Sequence, residues 1–197
     1  MKSKPILDTT KAAILEAAWT LIADKGRVDV SQAEIASAAG VSRQTVFYAF
    51  GNRTGLLTAM VRHKDEQTDH VARLISHARG EGDPVEAFLD YTAVWLDYLP
   101  EVYPVAILLD AAALTDPEAK AAIDDRLVHA LLAGFQRLAG RVAEAGRLRY
   151  GLAPTEAAQE IWNATHISSW RRLVIDCGWT RERFVTTRLA LARSHVL

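Results

Sequence analysis

Apolar positions recur at helical spacing in segments of ten to thirty residues, without the two-residue alternation of a half-buried strand. In the first segment Ile14, Ala17, Ala18, Leu21 and Ile22 follow the i, i+3, i+4, i+7, i+8 stripe of a helix burying one face. Thr9 or Thr10 is placed to cap it, and Gly26 to end it near Lys25 in the left-handed conformation. The next segment, AEIASAAGVSRQTVFYAF (33–50), keeps the spacing but carries Gly40 in its middle. A glycine inside one helix costs about 1 kcal/mol against alanine, whereas a tight turn between two short helices needs a residue that accepts positive φ. Ser31 and Glu34 form a capping-box pattern for the first short helix, which ends near Ala39; Ser42 caps the second, residues 43–50. Ala36 is small where the second helix crosses, and Val46 packs back from it.

Further on, Leu56, Leu57, Met60, Val61, Val71, Leu74, Ile75 and Ala78 predict one long helix from Asn52 to about Arg79. GEGDP (80–84) breaks it, with Pro84 in the first turn of a helix that carries Phe88, Tyr91, Thr92 and Trp95 to Leu99. Pro100 and Pro104 predict a break, then a short helix through Leu114. Asp116 caps a long helix over 117 to about 147, RLRYGLAP is a loop, and Thr155 with Glu156 opens a helix to Asp176. Gly178 ends that one; Thr180 caps the last, which is expected to run to the C-terminus. The pattern predicts an all-α protein of about nine helices, with no internal repeat and no low-complexity tract.

Composition narrows the class. At 197 residues, half of them apolar, the chain is long enough for a proper core. Its longest apolar run, VAILLDAAAL (105–114), is interrupted by Asp110 and falls short of the roughly 20 residues of a membrane span. MKSKPILDTTK carries charges and no signal-peptide apolar stretch, so a soluble cytoplasmic protein without a membrane partner is expected. One cysteine, Cys177, excludes an internal disulfide framework and a cysteine zinc site, and is expected to be a small packing residue. Net charge is −1, divided into +4 over residues 1–64 and −5 over 65–197, so the front of the chain is the part suited to a polyanion.

Catalytic patterns are missing: there is no nucleophile elbow, phosphate-cradling glycine loop or HExxH pair, and Asp124 and Asp125 face different directions on a helix. His63, His70 and His77 lie seven residues apart, about 10 Å per step along a helix, too far to share a metal. The chain is expected to be no enzyme and to need no cofactor or metal.

Two short capped helices joined at Gly40 on a basic front are a helix-turn-helix, whose second helix lies in the DNA major groove. The stretches AAILEAAWTLIADKG, VSQAEIASAAGVSRQTVFYAF and GNRTGLL closely resemble the TetR family of bacterial transcriptional repressors, over the first quarter to third of the chain. The resemblance implies a homodimer, a three-helix DNA-binding domain (1–53), a connecting fourth helix, and a helical ligand-binding and dimerisation domain (54–197). Carried over residue by residue, it implies that Arg43, Gln44, Phe47 and Tyr48 face the groove. Arg43 suits guanine O6 and N7, Gln44 adenine N6 and N7, and Phe47, where the family often has tyrosine, a thymine methyl. Ser31, Gln32, Thr45 and Tyr48 are placed for phosphate oxygens, with Ser42 among the DNA-binding residues at the head of the helix. Arg53 stands where the family usually has lysine and is expected to hold a phosphate. Ala33 and Ala49 depart from the family's polar contacts.

Aromatic residues gather in the rear: Trp95, Tyr98 and Tyr103; Phe135; Trp162, His166 and Trp170, the last three recurring every four residues. With Asn163 they are the candidates for a pocket holding a small apolar or aromatic effector. Ala157, Ile161, Ala164, Thr165, Ser168 and Ser169, with Phe184, Thr187, Leu191 and Val196, are the expected dimer face. The expected function is a ligand-responsive regulator, a repressor, binding palindromic operator DNA. The competing readings are an architectural or non-specific DNA binder without a ligand, and a small helical enzyme with an incidental hairpin.

Overall fold

The computed structural model describes residues 7–196. Within them lie eleven α-helical segments and two π turns, with one isolated β-bridge between Leu148 and Val196. The segments group into two compact units, residues 1–67 with 104–126, and 68–103 with 127–197. Unit 1 cuts across a division at residue 53, because it gathers residues 104–126 from far along the chain, whereas unit 2 lies wholly beyond that point.

Unit 1 begins with α1 (Asp8–Lys25), α2 (Gln32–Ala38), α3 (Arg43–Phe50) and α4 (Arg53–Glu66). α1 starts ahead of Thr9, with Leu7 at its N-cap and no side-chain cap, so neither threonine has the expected role. Its C-terminus follows the expected course: Gly26 has φ 63° and its N–H reaches the Ile22 carbonyl at 3.0 Å. The core of the unit is the stripe read from the sequence, with Ile14, Ala18, Ile22, Ile35, Val46, Leu56, Leu57 and Met60 buried. α7 (Pro117–Arg126) completes the unit, and Asp116 caps it by accepting the N–H groups of Glu118 and Ala119 at 3.0 and 3.2 Å.

Unit 2 departs more from the sequence pattern. The expected helix over 52–79 is two: α4 stops at Glu66 and α5 spans His70–Arg79. Between them lie Thr68 and Asp69, residue types whose side chains compete with the helical backbone, and Thr68 Oγ1 pairs with His70 Nδ1. The expected break at Pro100 and Pro104 is absent, because α6 runs unbroken over Pro84–Ala112. Each interior proline removes a hydrogen bond and costs about 3 kcal/mol. Leu96, Leu99, Val105 and Leu109, on both sides of the prolines, are fully buried, and this burial outweighs the local preference.

The expected helix over 117–147 ends at Glu144 and contains a π turn at Leu127–Leu132 between α7 and α8 (Ala133–Glu144). Two carbonyls of that turn take side-chain donors: Trp162 Nε1–H reaches Leu127 O at 2.9 Å and Tyr91 O–H reaches Leu131 O at 3.1 Å. The helix expected over 155–176 is also interrupted. α9 (Pro154–Ala164) ends at Thr165, α10 is Ile167–Trp170, and a second π turn spans Arg171–Asp176. The Trp95 indole donates to the Thr165 carbonyl at 2.9 Å, and His166 caps α10 through the Ser168 N–H. α11 (Arg181–Arg193) is capped by Thr180 as expected but stops short of the terminus. His195 then turns inward against Leu191 O and Glu160 Oε2.

Cys177 is exposed, not packed, because it follows the second π turn. Ala157, Ile161, Thr165, Phe184 and Val196 are buried inside their own chain and leave no surface for a partner; Ala164, Ser168, Ser169, Thr187 and Leu191 keep partial exposure.

Candidate nucleic-acid interface

The turn between α2 and α3 is built as the sequence requires. Gly40 has φ 66°, its N–H reaches Ser37 O at 3.2 Å, and the Val41 N–H reaches Ala36 O at 2.9 Å. These two bonds close a Schellman turn around a left-handed residue. No atom lies within 4 Å of a β-carbon built on Gly40, so the demand for glycine is conformational and not spatial. The α2 capping box is complete: Glu34 N–H donates to Ser31 Oγ at 3.1 Å, and Ser31 N–H donates to Glu34 Oε2 at 2.7 Å. Hydrogen bonding from Lys25, then from Ser31, holds the Glu34 carboxyl down at about 2.

Ser42 Oγ accepts the Thr45 N–H at 3.1 Å and lies 2.9 Å from Thr45 Oγ1. Ser42→Ala is therefore expected to destabilise the α3 end of unit 1 by about 1 kcal/mol, read by urea unfolding; unchanged stability would show that the cap is dispensable.

With Val46 fully buried beneath it, α3 presents its opposite face to solvent. Arg43, Gln44, Phe47 and Tyr48 all lie exposed on it, Phe47 at 56% and Tyr48 at 58%. Arg43 has no hydrogen-bond or ion-pair partner among the described residues. Gln44 Nε2 donates to the Tyr48 hydroxyl at 2.9 Å, and the Phe47 and Tyr48 rings stand 6.2 Å apart. Gln32 is turned aside, donating to Gly51 O at 3.3 Å, and Ser31, Ser42 and Thr45 are engaged in caps.

Arg53 does not face solvent as the expected phosphate contact would. Its guanidinium donates to Asp116 Oδ2 at 2.6 Å, Glu118 Oε2 at 3.1 Å and Val28 O at 2.9 Å. Burial alone would lower the Arg53 pKa, but the hydrogen bonds it donates to Asp116 and Glu118 outweigh it and raise the value. For Asp116, burial pushes upward, and Arg53 with the α7 N–H groups carries it below the ordinary 3.8. A carboxyl lowered on folding stabilises the fold above its unfolded pKa and loses that contribution as pH falls through the folded value. Acid unfolding below about pH 4 is thus expected to be less steep in Asp116→Asn than in the wild type, followed by circular dichroism.

The rear aromatic residues fall into two groups. Trp95, Tyr98, Phe135 and Trp170 are buried. Phe135 packs edge-on to Phe88 and Tyr91, Trp170 edge-on to Phe184, and Tyr98 stacks on His70. Tyr103, Trp162, Asn163 and His166 keep some exposure, and the Trp162 and His166 rings meet edge-on at 5.3 Å. None of the eight lines the groove around Ser76, Asp83 and Asp90 or the one around Arg73, Asp97 and Arg181.

Residues 14–60 match the model of "Bacterial regulatory proteins, tetR family". They run from within α1 to the middle of α4, the segment whose caps and turn are described above. Over those residues the chain is similar to the TetR family. The chain is 33% identical over 84 residues to the HTH-type transcriptional regulator TtgR of Pseudomonas putida, covering 43% of its own length and 40% of TtgR's. It is 34% identical over 118 residues to the HTH-type transcriptional repressor LfrR of Mycolicibacterium smegmatis, 59% of each chain. It thus spans about two-fifths to three-fifths of those relatives. In fold it is similar to the SmeT–triclosan complex, with TM-score 0.75 and 20% identity over 96% of this chain and 93% of that one.

The residues not legible in the sequence are the partners of Arg53. Asp116 was legible as a helix cap, but nothing local joins it or Glu118 to a residue more than sixty positions earlier.

Proposed function

We propose that the protein is a transcriptional regulator, a repressor, that binds palindromic operator DNA as a homodimer and is released by a small apolar or aromatic effector. The observation that carries this reading is α3: a helix held by Val46 from below, with an arginine that has no partner among the described residues, a glutamine and two aromatic rings outward. Arg43 and Gln44 have the donor patterns that read guanine and adenine edges, and Phe47 an apolar face for a thymine methyl. Two such helices related by a two-fold axis reach successive major grooves when their centres lie about 34–36 Å apart.

Support for an effector comes from unit 2, where Tyr103, Trp162, Asn163 and His166 are the ligand-facing candidates and Trp95, Tyr98, Phe135 and Trp170 serve as core. An apolar or aromatic effector suits such side chains, and triclosan is the compound in the SmeT complex. A coupling of about 1–3 kcal/mol between the two sites changes DNA affinity 5- to 150-fold.

Selection from a randomised duplex pool tests the DNA reading. Enrichment of a palindrome with half-sites one helical turn apart, or a multiple of it, is the expected result. Diffuse enrichment without symmetry would replace it with the architectural reading.

A further inference from the structure

We infer that Arg53 is a positioning residue for the nucleic-acid interface, setting the helix-turn-helix on α4 and α7, and is not itself a phosphate contact. The inference rests on the DNA-binding reading of unit 1 and concerns how that unit is held in shape.

Arg53 ties three pieces of chain together at one guanidinium. It opens α4, reaches back to the Val28 carbonyl in the link between α1 and α2, and reaches forward to Asp116 and Glu118 at the head of α7. Asp116 divides its oxygens: Oδ1 takes the first free N–H groups of α7 and Oδ2 takes Arg53. The carboxylate is thereby oriented by the helix it caps, and so is the arginine it holds. Thr54 adds a hydroxyl donor to Glu118 at 3.3 Å.

The junction is repeated farther along. Arg62 makes a two-pronged contact with Asp125 at 2.9 and 2.7 Å, and its sequence separation of 63 is the same as that of Arg53 and Asp116. Arg126 reaches back to the buried Asp65. α4 and α7 therefore run in the same direction, joined by ion pairs at both ends. Moving Arg53 out to a phosphate would break three hydrogen bonds and leave Asp116 and Glu118, both only part exposed, without their cation. Against that loss stands one exposed contact in salt water, a weak inducement.

Lysine separates the two roles. An ammonium serves a phosphate as a point charge but lacks the planar fork that spans two carboxylates and a carbonyl. Asp116→Asn keeps a good N-cap while removing the charge that holds Arg53.

The test measures affinity for the duplex that the wild-type protein enriches from a randomised pool, across a sodium chloride series, for Arg53→Lys, Arg53→Ala, Asp116→Asn and the Arg53→Lys/Asp116→Asn pair. Each single variant is expected to bind about fivefold or more weakly. The slope of log affinity on log salt should match the wild type, and the pair should be no worse than its weaker member. Three results would overturn the inference: wild-type binding by Arg53→Lys, tighter binding by Asp116→Asn, or a slope shallower by about 0.9 per site in Arg53→Ala. A wild-type protein that enriches no duplex would bring down the DNA-binding reading, and this inference with it. Normal enrichment with any of the three results above would remove the inference alone.

Discussion

Replacing Gly134 with alanine is expected to destabilise the protein by about 2–4 kcal/mol, the sum of overpacking and a lost buried hydrogen bond. Helix propensity by itself predicts the opposite, since alanine is favoured over glycine in a helix interior by about 1 kcal/mol. The tertiary contact decides the sign. A β-carbon on Gly134 would stand 2.0 Å from the Tyr91 hydroxyl oxygen, 2.4 Å from Cζ and 2.9 Å from Cε2. Tyr91 has little freedom to step aside: it is buried, its hydroxyl donates to the Leu131 carbonyl in the π turn, and its ring packs edge-on to Phe135 at 4.9 Å. Urea unfolding followed by circular dichroism measures the loss. The combination with Tyr91→Leu, which removes the atoms in conflict, should be less destabilised than the two single changes added together. A Gly134→Ala protein as stable as the wild type would mean that the α6–α8 contact has slack the structure does not suggest.

The second large effect concerns specificity. Arg43→Ala is expected to cost about 1–3 kcal/mol of discrimination at one base pair of each half-site, while binding to random duplex falls far less. Arg43 has no protein partner to lose among the described residues, so folding stability should be unchanged. Competition binding with all four base substitutions at each half-site position would locate the relaxed pair. An equal fall on selected and random DNA would make Arg43 a phosphate contact and move the reading of sequence to Gln44 and Phe47.

How much was legible in the chain follows from how far each determinant reaches. The helix-turn-helix is local throughout. Ser31 and Glu34, three residues apart, complete their box; Ser42 caps α3 at Thr45; and Gly40 takes the positive φ that other residues resist. The boundaries of α3 and the outward face of Arg43, Gln44, Phe47 and Tyr48 accordingly agree with the pattern of apolar residues. Gly26 and Thr180 were readable for the same reason.

The departures arise where distant residues meet. Pro100 and Pro104 are strong local breakers, yet α6 passes through both because Leu96, Leu99, Val105 and Leu109 are buried around them. The π turn after α7 follows no signal in LVHALL itself; its carbonyls are matched by Trp162 and Tyr91, 35 and 40 positions away. Trp95 reads equally well as pocket or core until its buried indole N–H is placed on the Thr165 carbonyl. Arg53 looked like a surface cation until Asp116 and Glu118 closed on it. Caps, glycine turns and helical stripes act within one or two turns of chain, so the amino-acid order alone determined the helix-turn-helix and the all-helical class. Burial and the matching of buried donors to acceptors depend on residues brought together by folding. Only the tertiary structure could decide which prolines were tolerated, which tryptophans were core and which arginine was held fast.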